Sequence, residues 1–172
     1  MGTALIPREV MLFCSILFGE DAPFEEALCL LKENFGDLAY RSETMPFVFT
    51  NYYEREFGSG LVRFLFAFDR LVQRNALVEA KIITNQIEST FMHEGKRRIN
   101  IDPGILTQEN ICLATTKPYS HRIYLDKGIW AEVTLIYRKD SYHALEWSYP
   151  DYSSAEMIGI FNSLRETYRG KL

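Results

Sequence analysis

Positive charge is not in excess in this chain: 19 Lys and Arg face 23 Asp and Glu, a net charge of −4 at neutral pH. Without a positive field a protein is not drawn onto the phosphate backbone of nucleic acid or onto an anionic bilayer. The RNP pattern of RNA-binding sheets is also missing, so nucleic acid is not expected as a partner. Cysteine is sparse and odd in number, at three, which excludes a disulfide framework. Cys14, Cys29 and Cys112 each stand among apolar neighbours and read as buried reduced thiols. No apolar run approaches the roughly 18 residues that a membrane-crossing helix needs. Arg8 and Glu9 precede the apolar stretch Val10–Phe18, and no small-residue cleavage site follows it, so a signal peptide is not expected. These absences predict a cytoplasmic protein with no membrane partner.

The motifs of the large enzyme families are missing as well. There is no Gly-x-x-x-x-Gly-Lys-Ser/Thr, no Gly-x-Gly-x-x-Gly after a strand, no His-x-x-x-His or Cys-x-x-Cys pair, and no Gly-x-Ser-x-Gly elbow. What is present is ordinary globular composition, 47% hydrophobic and 24% charged, with a high aromatic content of 14%. At 172 residues the chain is long enough to bury a core as one domain, residues 1–172, without staples.

Periodicity organises that domain. Val10–Phe18 is a continuous apolar run, as in a strand buried on both faces. Asp21 is placed to cap a helix from Pro23 to Phe35, in which Phe24, Ala27, Leu28, Leu31 and Phe35 recur at three- and four-residue steps before Gly36. Asp37–Phe49 reads as extended, with Pro46 at an edge or bend. Asn51–Gly60 reads as a loop or short helix, and Leu61–Phe68 as a strand. Asn75 is placed to cap a helix to about Met92, and Arg97–Asp102 is a strand ending in an Asp102-Pro103-Gly104 turn. The order β-α-β, β-α-β predicts an α+β fold with a ferredoxin-like duplicated core. Asn110–Thr116, His121–Leu125, Ile129–Arg138 and Tyr142–Ser148 form an antiparallel β-hairpin extension, closed by a helix from Ser153 or Ser154 to about Arg169. Asp126-Lys127-Gly128 reads as a three-residue hairpin loop, which sets Arg122 opposite Glu132.

Polar residues in pattern mark the candidate site. Arg98, Asn100 and Asp102 alternate with isoleucines and so share one strand face. Lys117-Pro-Tyr-Ser-His-Arg-Ile-Tyr124 packs Lys117, Arg122 and His121 together. Arg binds adjacent phosphate oxygens through its fork, Lys adds a point charge, and a histidine near neutrality can move a proton. Lys81, Asn85 and Glu88 fall on one helical stripe, and Asn51 and Glu54 flank Tyr52-Tyr53 in a loop. These patterns nominate His121, Asp102 and Glu54 as catalytic groups, and Arg98, Asn100, Lys117, Arg122 and Lys81 as ligand-binding groups. Glu54, Glu88, Asp102, Glu132 and Asp151 could hold a divalent metal such as Mg²⁺ where several converge.

The blocks Phe49-Thr-Asn-Tyr-Tyr-Glu54, Asn100-Ile-Asp-Pro-Gly104, Leu113-Ala-Thr-Thr-Lys117, His121-Arg-Ile-Tyr-Leu125, Ala131-Glu-Val-Thr-Leu-Ile-Tyr137 and Trp147-Ser-Tyr-Pro-Asp-Tyr152 resemble, in order, an uncharacterised bacterial family catalogued as a domain of unknown function. Some of its members carry an automatic "GTP-binding protein" label. This sequence has neither a phosphate-cradling loop nor an Asn-Lys-x-Asp stretch to read guanine. The residues predict a protein holding a phosphorylated or otherwise anionic small molecule, with phosphate-ester chemistry as its enzymatic form and a nucleotide among the candidate ligands. The competing expectation is a non-catalytic interaction module that docks a protein through Tyr52-Tyr53 and Trp147–Tyr152.

Overall fold

A computed structural model describes residues 2–172. The first apolar run is strand β1, Val10–Phe18, buried along its whole length. It lies at the centre of an antiparallel sheet. On one side it pairs with β4, Val62–Val72, and on the other with β5, Ile99–Leu106. Beyond β4 lie β2, Leu38–Arg41, and the short β3, Met45–Pro46. Beyond β5 come β6, Asn110–Thr115, β8, Ile129–Arg138, and β7, Ile123–Asp126. The strand order is β2-β4-β1-β5-β6-β8-β7, with β9, Ser141–Ala144, also on β8.

Alternation along β1 splits the core in two. Val10, Leu12, Cys14, Ile16 and Phe18 face helices α1, Phe24–Phe35, and α3, Ala76–Thr90. Phe24 stacks on Phe18 and Phe64 there, with ring centroids at 4.6 and 4.9 Å. Met11 and Phe13 face the other way, onto helix α4, Ala155–Arg169, through Met157, Phe161, Leu164 and Tyr168. Ser154 caps α4 by accepting a hydrogen bond from the Met157 N–H. A one-turn helix α2, Glu54–Phe57, closes the end of the sheet near Leu17, Phe47 and Leu61. Among the described residues no helix is long and apolar enough to cross a membrane.

Several local expectations are corrected. Pro23 and not Asp21 stands at the start of α1, and the Asp21 carbonyl instead accepts from Arg98. The Asn75 side chain makes no cap bond. Cys29 is exposed, because it lies on the outer face of α1. The hairpin loop is Lys127-Gly128 alone, with φ of 49° and 78°, a two-residue turn between the paired Asp126 and Ile129. A register shift between Tyr124 and Asp126 absorbs the extra residue, so Arg122 still reaches Glu132.

The largest correction concerns Asp102-Pro103-Gly104, which is no turn. The chain runs straight through it because β1 pairs with β5 from Ile99 to Leu106. Gly104 fits there because a Cβ would collide with the Phe13 ring and stand 2.8 Å from the Cys112 carbonyl oxygen. Gly104→Ala is therefore expected to destabilise the protein by about 2–3 kcal/mol through overpacking, read as a lower urea midpoint with an unchanged slope.

Candidate functional site

β5 and β6 are paired only between Gly104–Leu106 and Ile111–Leu113. The pairing stops at Pro103. Backbone groups alternate sides along a strand, so the N–H that Pro103 lacks belongs to the edge facing β6. Ile101 shares that edge, and it is completed by a helix. Its N–H donates to Glu88 Oε1 at 2.6 Å, and its carbonyl accepts from Lys81 Nζ at 3.1 Å. Both charged residues project from α3 and are buried. Where β6 would have continued alongside β5, a cavity of about 720 Å³ opens. Phe47, Tyr53, Tyr149 and Tyr152 contribute aromatic wall, and Leu113–Lys117 and Glu132 line the far side.

Three ion-pair networks hold the wall. In the first, Lys81 Nζ lies 3.3 Å from Asp102 Oδ1, and Asn100 Nδ2 donates to Asp102 Oδ2 at 2.7 Å. Arg97 joins it by donating to Asn100 Oδ1 at 2.9 Å and Glu88 Oε2 at 3.2 Å, and its fork takes both oxygens of Glu56 at 2.8 Å. In the second, Arg63 is clamped between Ser15 Oγ, at 2.5 Å, and Asp151 Oδ2, at 3.0 Å, with its guanidinium 5.0 Å from the Phe47 ring centroid. In the third, Glu132 Oε2 meets both His121 Nε2, at 2.9 Å, and Arg122 Nε, at 2.8 Å, while Arg122 Nη2 donates to the Tyr149 hydroxyl at 2.9 Å.

The carboxyls of one cavity are pushed in opposite directions. Burial works to raise the pKa of Asp102, but Lys81 and then Arg63 overcome it and leave Asp102 below the usual carboxylate range. For Glu88 burial prevails over Lys81, the Ile101 N–H and Arg97, and the pKa rises. Asp151 is raised by burial against the pull of Arg63. Burial also raises Tyr53 and Tyr152, so both stay protonated hydroxyls.

Of the residues nominated from sequence, Asn100, Asp102, Lys81 and Lys117 lie on the cavity wall. Arg98 does not. β5 begins one residue later, so alternation does not extend to it and its side chain turns to Asp21. His121 and Arg122 stand behind Glu132 and act on the cavity through it. Glu54 is exposed on α2, where Glu56 is the residue that reaches Arg97. Among the described residues no three of His, Cys, Asp and Glu converge as a metal site. Arg63 and Arg97 were missed. A signal for Arg63 existed, since it is the lone charge in Leu61–Phe68, and it reaches diagonally across the pair, from its place opposite Leu17, to Ser15, the lone polar residue of β1.

The fold and cavity define an α+β protein whose sheet splits to form a pocket of the size that small molecules occupy. The family model described as "Domain of unknown function (DUF4416)" matches residues 8–168, and the chain belongs to that family. No curated protein and no solved structure matches it.

Lys81→Met tests the charged edge. It leaves the Ile101 carbonyl and Asp102 without their cation and is expected to cost about 3 kcal/mol, as breaking a buried pair does. Asp102 binds its proton less tightly folded than unfolded, so its contribution to stability is full above the ordinary aspartate value near 3.9 and lost as pH falls through the folded value. In the variant the folded value rises, so that loss is expected at higher pH, read by urea melts in a pH series.

Proposed function

We propose that the protein binds a small anionic molecule, a phosphate or phosphate ester foremost, in the cavity between β5 and β6. The observation that carries this reading is Lys117. Arg63, Lys81 and Arg97 on the wall are each tied to a carboxylate, whereas Lys117 has no carboxylate partner among the described residues and lies 5.6 Å from the Tyr52 ring centroid. An unpaired ammonium on the wall of an aromatic pocket supplies the charge-assisted bond an incoming anion needs. A divalent ion such as Mg²⁺ would enter with the phosphate, which provides the oxygen ligands that a protein cage otherwise would. Asp102, on the cavity wall between Lys81 and Asn100, is the carboxylate that would orient a reacting group in phosphate-ester chemistry. Tyr53, Tyr149 and Tyr152, drawn from the two aromatic segments, turn to this cavity, which favours a small ligand over a docked protein.

We also infer that β1-α1-β2 and β4-α3-β5 form a ferredoxin-like duplicated core. The order β2-β4-β1-β5, antiparallel throughout, with α1 and α3 on one face, supports it. The three free cysteines support a reducing, cytoplasmic setting.

Thermal shift with inorganic phosphate, ribose 5-phosphate and mononucleotides, each with and without MgCl₂, tests the binding. A concentration-dependent rise in Tm is expected for at least one of them. Lys117→Ala is expected to weaken that ligand about tenfold or more, since a hydrogen bond to a charged group contributes roughly 1.5–3 kcal/mol. A flat response to every probe would overturn the reading.

A further inference from the structure

Four buried polar atoms of residues on the cavity wall have no hydrogen-bond partner: Glu132 Oε1, Arg63 Nε, Asp151 Oδ2 and the Tyr152 hydroxyl. Glu132, Arg63, Asp151 and Tyr152 are 2%, 5%, 6% and 2% exposed, so bulk water does not satisfy them. Buried polar groups are rarely left unmet, and a charged carboxylate least of all. Glu132 and Arg63 are not loose. Glu132 Oε2 is held by His121 and Arg122 behind the wall, which leaves Oε1 as the oxygen without a partner. Arg63 is pinned through both terminal nitrogens, which leaves Nε as its free donor. The cavity wall therefore carries two unanswered acceptors, Glu132 Oε1 and Asp151 Oδ2, one unanswered donor, Arg63 Nε, and the Tyr152 hydroxyl, which can be either.

Charge points the same way. Arg63, Lys81, Arg97, Lys117 and Arg122 are balanced by Glu56, Glu88, Asp102, Glu132 and Asp151. A bare anion would leave this neutral cavity negative. An occupant that brings a protonated amine alongside its anionic group lessens that imbalance, and any N–H donor alongside an oxygen acceptor answers unpartnered atoms of both kinds.

We propose that the natural ligand is an anion that also bears an amine or amide N–H, with that N–H donated to Glu132 Oε1 and an oxygen accepting from Arg63 Nε. This rests on the reading that the cavity binds an anion, and it makes Glu132 the residue that selects among anions.

Matched probes separate the two claims. O-phosphoethanolamine is paired with ethyl phosphate, cytidine monophosphate with ribose 5-phosphate, and O-phosphoserine with phosphoglycolate, and affinities for the native chain are measured by calorimetry. In at least one pair the nitrogen-bearing member is expected to bind tenfold or more tightly than its partner. Glu132→Gln should erase that advantage. Arg122 Nε demands an acceptor, which fixes the amide oxygen on its side and turns the NH₂ toward the cavity, donor against donor. With one negative charge fewer on the wall, the nitrogen-free member should bind the variant at least as tightly as it binds the native chain. Equal affinities within every pair on the native chain, or an advantage that survives Glu132→Gln, overturn this inference and leave anion binding standing. Binding of no probe overturns both, and the native-chain comparison decides even if the variant does not fold.

Discussion

A proline inside a strand has one edge it cannot offer to a neighbour, and at Pro103 that edge faces β6. Much of the site depends on this. β5 stays extended because β1 holds its other edge from Ile99 to Leu106, so the loss of pairing opens a gap and does not end the strand. A bare strand edge within a protein needs partners for its N–H and carbonyl groups. Here α3 supplies them with a lysine and a glutamate, and charge enters the fold at that point.

Once Lys81 and Glu88 are buried at that edge, further charges follow. Lys81 calls for Asp102, and Glu88 calls for Arg97, which in turn engages Glu56 on α2. Buried ion pairs of this kind contribute little net stability compared with apolar packing of the same volume. The sheet carries its stability elsewhere, in the apolar face under α1 and α3 and in the Phe13–Phe161 face under α4. The polar network is confined to the end of the sheet where β5 and β6 part.

What could be read from sequence follows the same division. Apolar runs and helical spacing placed β1, β4, β8, α1, α3 and α4 to within a few residues, because burial of whole faces leaves a periodic trace. Asn100 and Asp102 were legible through strand alternation, and Lys81 through helical spacing. Arg98 was misplaced because parity holds only inside a strand, and the strand starts after it. Asp102-Pro103-Gly104 was misread because local chemistry favours a turn and only long-range pairing with β1 overrides it. The roles of Arg63 and Arg97 come from partners 48 and 41 residues away, distances at which periodicity is silent.

Glu132 shows how a structural pair leaves an atom over for binding. In sequence it is the cross-hairpin partner of Arg122, and the structure bears that pairing out. Yet a carboxylate has two oxygens, and the hairpin uses only Oε2. The grip of Arg122 and His121 makes the other oxygen a rigid acceptor, with no rotamer freedom to lose when a donor arrives. The same logic applies to Arg63, whose outer nitrogens are held by Ser15 and Asp151. Rigid, half-used charged groups lining a gap that begins at Pro103 favour an occupant with both a donor and an acceptor, because one with only a donor or only an acceptor leaves buried groups of the other kind unmet.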